Sequence, residues 1–289
     1  MATQTSGSEW TVRSMLEWAT EYFRQKDVES PRLSIEWLLA HILDIKRLDL
    51  YLNYNRPLSP DELERLRPLV KRRAEHEPLQ YITGSTEFLH TRIEVNNSVL
   101  IPRPETEQLT ENILSAHPNE PPLKVLDVGT GSGCIAIALA FNRPQWQVQG
   151  MDVSAEALEV AAHNARANGV TVTFEEGDFQ DTPSPGGEES FDIIVSNPPY
   201  IGNEEKETIA PQVKEHEPSQ ALFVDDPAEI YASILRFSAG KIKTGGKLYL
   251  ELHDVYADKI NEAIDTGSWE PNLRTDYDGK KRFLTCLKK

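Results

Sequence analysis

Apolar positions along the chain fall into two regimes. Over residues 8–76 they recur at helical spacing. Met15, Leu16, Ala19 and Phe23 share one face of a helix that Ser8 is placed to cap. Ser30-Pro31 opens a second helix carrying Trp37, Leu38 and Ile42. Ser59-Pro60-Asp61-Glu62 has the capping-box pattern with proline at the first helical position, and Pro68 is expected to kink or end that helix. The aromatic set Trp10, Trp18, Tyr22, Phe23 and Trp37 reads as the core of this module, and Lys71-Arg72-Arg73 as a solvated helix face. From about residue 77 the period shortens. Thr86-Glu87-Phe88 and Arg92-Ile93-Glu94-Val95 are short strands of a β-hairpin. From about residue 123, strands near 124, 147, 171, 191 and 246 alternate with helical stretches. That alternation predicts an α/β domain with a doubly wound sheet and ligands at the C-terminal strand ends. Two more strands, 269–277 and 282–287, close the chain. The expected organisation is a helical domain over 1–76, a hairpin linker over 77–100 and an α/β domain over 101–289.

One tetrapeptide at a strand end carries most of the candidate chemistry. Asn197-Pro198-Pro199-Tyr200 follows the apolar run Phe191-Asp192-Ile193-Ile194-Val195-Ser196. The prolines have no N–H and fix φ, so the backbone is stiff. The Asn197 side-chain oxygen and the Pro198 carbonyl can each accept one N–H of an amide or exocyclic amine, and the Tyr200 ring offers a face for a flat group. Taken alone, the motif is also what a proline-rich turn ending a strand looks like, so its context decides. Residues 201–225 form a long loop after it, of the kind that usually serves a site, whereas the Pro-, Gly- and acid-rich stretch 181–190 reads as a surface loop.

Upstream, Val125-Leu126-Asp127-Val128 runs into Gly129-Thr130-Gly131-Ser132-Gly133-Cys134 and an apolar helix. The glycines permit a tight turn and close approach to a ligand. A dinucleotide fingerprint would need glycine at 134, where Cys134 stands. One βα unit later a strand ends in Gly150-Met151-Asp152, a carboxylate suited to a ribose diol. Ser154 is the better helix cap there. Asp178 and Phe179 follow the next strand, as adenine contacts or as plain loop residues. Pro102 and Pro104 hold Arg103 in an extended segment, to face either a ligand carboxylate or a structural one. Thr106 is a candidate N-cap for a helix over 107–115.

Composition narrows the function classes. The chain has 289 residues, 39% of them hydrophobic, and no run approaches the ~20 apolar residues of a membrane span. Residues 1–8 lack the apolar stretch of a signal peptide. The two cysteines, Cys134 and Cys286, argue against a disulfide or zinc framework and for a reducing cytoplasm. The net charge of −16 argues against a broad phosphate-binding face, and so against direct nucleic-acid binding.

With the glycine loop, Asp152 and Asn197-Pro198-Pro199-Tyr200 in this order, the chain resembles a class I S-adenosylmethionine (SAM) dependent methyltransferase with a Rossmann-like sheet. The segments Glu77-Pro78-Leu79-Gln80-Tyr81-Ile82-Thr83-Gly84, Phe88, Ile101-Pro102-Arg103-Pro104-Glu105-Thr106-Glu107 and Glu217-Pro218-Ser219-Gln220-Ala221-Leu222 sharpen this to a resemblance to the HemK/PrmC family. That resemblance implies methylation of the glutamine of the Gly-Gly-Gln motif in class 1 peptide-chain release factors, with S-adenosylhomocysteine as co-product. It implies that Gly129, Thr130, Gly131, Ser132 and Gly133 hold the methionine part of SAM, Asp152 the ribose and Phe179 the adenine region. Arg103 and Asn197 are further expected at the cofactor. It implies that Asn197 and Pro198 grip the glutamine amide, that Pro199 and Tyr200 pack on it, and that the helical module recognises substrate. A monomer without a metal is expected. Two departures touch the pocket edges: Glu251-Leu252-His253 stands where the family often has Glu-Ile-Gly, and the family's tryptophan near Phe179 is missing. A nucleic-acid amino-methyltransferase is the competing reading, because the same tetrapeptide serves a flipped base. No histidine or carboxylate is expected beside the tetrapeptide as an obvious general base, so proton loss to water after transfer is expected.

Overall fold

A computed structural model describes residues 9–118, 121–181 and 190–289. Ser8 and most of the 181–190 loop lie outside the described residues. The chain divides into two compact units: the described residues up to Gly84 with Pro211–His216, and Ser85–Ala210 with Glu217–Lys289.

The first unit contains α1 (Val12–Arg24), α2 (Pro31–Leu43), the short α3 (Asp49–Leu52), α4 (Pro60–Ala74) and α5 (Leu79–Thr83). Helix α1 starts from a capping box at Thr11. Leu16, Phe23, Ile35, Leu38, Leu39 and Leu66 fill the centre. Three local expectations change. Helix α4 runs through Pro68 without ending, since packing of Leu66 and Val70 outweighs one missing backbone hydrogen bond. Trp37 is 44% exposed and sits under the Arg47 guanidinium, so it is no core residue. Arg73 is buried, donating to the Ser34 hydroxyl, the Glu29 and Glu77 carbonyls and Gln212, while Arg72 pairs with Glu77. Only Lys71 of that trio is a solvated charge.

The second unit begins with a hairpin, β1 (Ser85–Phe88) and β2 (Thr91–Glu94). Its outer backbone is satisfied by two asparagines of a later helix. Asn164 and Asn168 each exchange a pair of hydrogen bonds with Glu94 and Arg92. Then come α6 (Pro104–Ala116), β3 (Lys124–Val128), α7 (Cys134–Asn142), β4 (Gln147–Asp152), α8 (Ala155–Ala167), β5 (Thr173–Glu176) and β6 (Phe191–Ser196). The segment read as one long loop carries β7 (Ile201–Gly202), a 3-10 turn, α9 (Pro211–His216, which belongs to the first unit), α10 (Ser219–Leu222) and β8 (Phe223–Val224). The chain ends with α11 (Pro227–Ala239), β9 (Ile242–Glu251), α12 (Ala257–Glu262), β10 (Trp269–Thr275) and β11 (Lys281–Lys288).

Seven strands form one sheet in the order β10-β11-β9-β6-β3-β4-β5, with β11 antiparallel to both neighbours. Apolar residues on both faces, among them Val125, Ile193, Ile194, Leu248 and Leu250, are fully or nearly fully buried, as a doubly covered sheet requires. Strand order reverses at β3, which lies between β4 and β6. The crevice that reversal opens is where α/β sheets hold ligands. Val128, Met151, Ser196 and Leu250 are in register there, so four loops leave the sheet at one level. Cys134 and Cys286 are buried free thiols. No helix among the described residues is long and apolar enough to cross a membrane.

Candidate active site

The glycine loop leaves β3 as expected. Gly129 and Thr130 donate their N–H groups to the Met151 carbonyl at 2.8 and 2.9 Å, which ties the loop to the end of β4. Gly129 and Gly131 have φ of +70° and +54°, with nothing within 4 Å of where a side chain would start. Gly133 has a different role. At φ +81° it caps α7, and a Cβ there would meet Ile137 Cδ1 at 2.9 Å and Ala161 Cβ at 3.1 Å. It brings α7 against α8.

Below the loop lies the carboxyl of Asp127, buried within β3. Its Oδ2 accepts from the Thr130 hydroxyl at 2.6 Å and the Ala136 N–H at 3.2 Å. Its Oδ1 is buried with no partner. Burial pushes this carboxyl up to about 7 against those hydrogen bonds. Asp152 ends β4. It accepts the Gly131 N–H on one oxygen at 2.8 Å and the Ser154 N–H on the other at 3.0 Å. Each oxygen keeps a lone pair for a further donor.

A cavity of about 490 Å³ opens at this edge, in the ~300–1,000 Å³ range of small-molecule sites. Gly129, Gly131, Asp152, Phe179, Asn197 and Pro199 line it. Thr130, Ser132 and Gly133 lie beneath its surface and shape the loop. Pro198 is buried, and Tyr200 turns its hydroxyl to Glu251.

Asn197 stands where β6 ends, and its Nδ2 donates to the Thr106 hydroxyl at 2.8 Å. That hydroxyl donates to Glu251 Oε2 at 2.7 Å, and the Tyr200 hydroxyl donates to Glu251 Oε1 at 3.1 Å. Burial pushes the Glu251 carboxyl up to about 7, opposed by the Thr106 and Tyr200 hydrogen bonds and by Arg282. Burial likewise raises the Tyr200 phenol, which stays neutral. The His253 ring meets Tyr200 edge-on, centroids 5.6 Å apart. A carboxylate and a histidine do lie beside the tetrapeptide: the fold brings them from the end of β9.

Two local expectations in the segment before α6 come out differently. Thr106 is not an N-cap: Pro104 takes the first helical position and Thr106 points inward to Glu251. Arg103 pairs with the buried carboxylate of Glu217 at 2.5 Å and is absent from the cavity lining.

Family comparisons agree with this geometry. Residues 14–84 match the PrmC N-terminal domain, and residues 104–216 match the methyltransferase small domain. A release factor glutamine methyltransferase from Geobacter sulfurreducens is 44% identical over 244 residues, 84% of each chain. One from Chlorobaculum tepidum is 39% identical, covering 96% of this chain and 97% of its own. One from Rhodopirellula baltica is 37% identical over the whole of both chains. The chain belongs to the release factor glutamine methyltransferase family. It is a methyltransferase, and the α/β Rossmann-like fold and the SAM dependence expected from sequence stand with that membership.

Within this family member, Thr106, Glu251 and Glu217 are the site groups whose roles have no local signal in the sequence, whereas Asp127, two residues before the glycine loop, belongs to the contiguous pattern of that loop. The partners of the other three lie 51 to 145 residues away along the chain, where no short motif reports them.

Proposed function

We propose that this protein transfers the methyl group of SAM to the side-chain amide nitrogen of the glutamine in the Gly-Gly-Gln motif of class 1 peptide-chain release factors, and so tunes translation termination. The carrying observation is Asn197. It lines the cavity at the strand-order reversal, with its Nδ2 held by Thr106 and its oxygen left as the acceptor end. Membership in the family supports the acceptor.

The cavity is suited to SAM. Gly129 and Gly131 leave room for close backbone approach. Asp152 keeps lone pairs for the ribose hydroxyls, and Phe179 lines the wall where an adenine ring would stack. When bound there, SAM supplies a sulfonium-activated methyl group.

The chain's own residues then have to aim a poor nucleophile. An amide lone pair is delocalised into its carbonyl. Asn197 Oδ1 and the Pro198 carbonyl accept one N–H each and direct the nitrogen at the methyl. Such alignment lowers a barrier by up to ~7–11 kcal/mol in the best intramolecular cases. The same two oxygens stabilise positive charge as it develops on that nitrogen. The N–C bond forms as the C–S bond breaks, and one amide proton leaves to water afterwards. Glu251 is buried and does not line the cavity, so it is not placed to act as the base. The N-terminal helical unit recognises the release factor, and the enzyme works as a monomer in the cytoplasm without binding nucleic acid directly.

The test is methyl transfer from labelled SAM to purified release factor, to its Gln→Ala variant in the Gly-Gly-Gln motif, and to bulk RNA and DNA. Label on the wild-type factor alone is expected. Label on nucleic acid alone would keep the fold and overturn the acceptor.

A further inference from the structure

We propose that Thr106 and Glu251 are positioning residues that fix which end of the Asn197 amide faces the acceptor. This rests on the reading of Asn197 given under Proposed function. Glu251 and Thr106 are almost fully buried. An ionised carboxylate only accepts, so each of its oxygens needs a donor. Tyr200 supplies one and Thr106 the other. A hydroxyl has a single proton, and while Glu251 is ionised that of Thr106 is committed to it. What Thr106 turns toward Asn197 is therefore a lone pair, which only an N–H can satisfy. Nδ2 is held at 2.8 Å, and Oδ1 is left for the cavity. Turning the amide over would set Oδ1 against the hydroxyl lone pair. It would also present N–H to the N–H of the acceptor.

Two backbone anchors hold this chain of bonds in place. The Thr110 hydroxyl donates to the Thr106 carbonyl at 2.9 Å, and the Tyr231 hydroxyl donates to the Glu251 carbonyl at 3.1 Å. The buried carboxylate thereby selects the acceptor class from two hydrogen bonds away: groups with N–H to donate are matched, and groups with only lone pairs are rejected. A buried carboxylate at the end of β9 that does not line the cavity thereby has a role at the site.

The test uses the full chain with Thr106→Val, which keeps the shape and removes the hydroxyl, Thr106→Ser, which restores it, and Glu251→Gln. The first readout is the side-chain NH₂ resonance pair of Asn197 in nitrogen-15-labelled protein, identified by its loss in Asn197→Ala. In the wild type and T106S these protons are expected to exchange slowly. In T106V exchange is expected to quicken by about tenfold, the value of one hydrogen bond. The second readout is transfer to release factor. We expect kcat to fall about 100-fold in T106V, as when an aligned polar group is lost. The dissociation constant for SAM is expected to stay within about threefold, and T106S to recover most of the rate. Should T106V not fold, E251Q carries the same two readouts. Unchanged Asn197 resonances together with a wild-type rate in T106V or E251Q would overturn the proposal. If the wild type methylates no release factor but T106V still loses the amide signature, the orientation stands and the acceptor reading falls.

Discussion

Arg103 and Glu217, 114 residues apart in the chain, meet at 2.5 Å and hold the segment before α6 to the turn before α10. Glu217 is nearly inaccessible, and its second oxygen accepts the Ile101 N–H at 3.3 Å. Pro218 and Gln220, just beyond it, line the cavity. Glu217→Ala would leave a buried N–H and a guanidinium without their acceptor. Losing one member of a buried pair costs ~3–5 kcal/mol, and the partial exposure of Arg103 brings the expectation down to about 2 kcal/mol. Glu217→Gln keeps one acceptor and should cost less. Urea unfolding of both variants checks this, and equal stability of E217A and wild type would refute it.

For Asn197→Ala the expectation separates binding from chemistry. The side chain aligns the acceptor nitrogen, whereas the glycine loop and Asp152 sit on the other side of the strand-order reversal. Turnover should drop by at least about 100-fold, with SAM affinity measured by calorimetry largely kept. Equal loss of both would sink the role assigned to Asn197.

Gly133 and Gly131 predict opposite outcomes from the same substitution. Gly133→Ala forces φ +81° on alanine and drives its Cβ to 3.1 Å from Ala161 Cβ and 3.3 Å from Ala161 Cα, backbone-fixed atoms of α8. It should destabilise the fold by about 2–3 kcal/mol. Gly131→Ala meets nothing within 4 Å, so only the left-handed strain of about 1 kcal/mol remains. Its cost should show in SAM affinity, because the new methyl group stands in the cavity wall. Thermal melts with and without SAM distinguish the two variants.

The site was legible in sequence where its residues are contiguous. A strand, three glycines at fixed spacing and a carboxylate one βα unit later occupy neighbouring positions in the chain, and parallel pairing carries them to one edge. Asn197-Pro198-Pro199-Tyr200 ends the adjacent strand for the same reason. The supporting groups were not legible, because a side chain's partner across the sheet leaves no local trace. Thr106 before Glu107 has the look of a helix cap, yet Pro104 starts the helix two residues earlier and leaves Thr106 inside its first turn. Arg103 between prolines looks presented to a ligand, and only the register of the segment around Glu217 reveals its carboxylate. In the helical unit the aromatic residues misled in one place. Trp37 lies on α2 between the buried Glu36 and Leu38, at a position turned out to solvent.

Burial raises both Asp127 and Glu251 to about 7, whereas unfolded carboxyls titrate near ~4. Between those values the unfolded chain has released protons that the native state still holds. The unfolded state is therefore favoured as pH rises, and the stability tied to these two protons, complete below ~4, is lost as pH climbs through about 7. Glu36 and Asp276, whose values are lowered despite the opposing effect of burial, act in the other direction and weaken the fold only at acid pH. Wild-type stability from urea melts should fall between about pH 4 and about pH 7 and level off above that. Glu251→Gln and Asp127→Asn should each flatten that slope, since an amide has no proton to lose. Activity should follow the opposite course. Thr106, Tyr200, Arg282 and Glu105 all act on Glu251, and Tyr231 fixes its backbone. Once ionised, Glu251 obliges Thr106 to donate to it; while neutral, it can donate to Thr106 and release the Asn197 amide to turn over. The wild-type kcat should therefore rise as pH passes through about 7, and E251Q should lack that limb. A wild-type rise preserved in E251Q would assign the titration to another group.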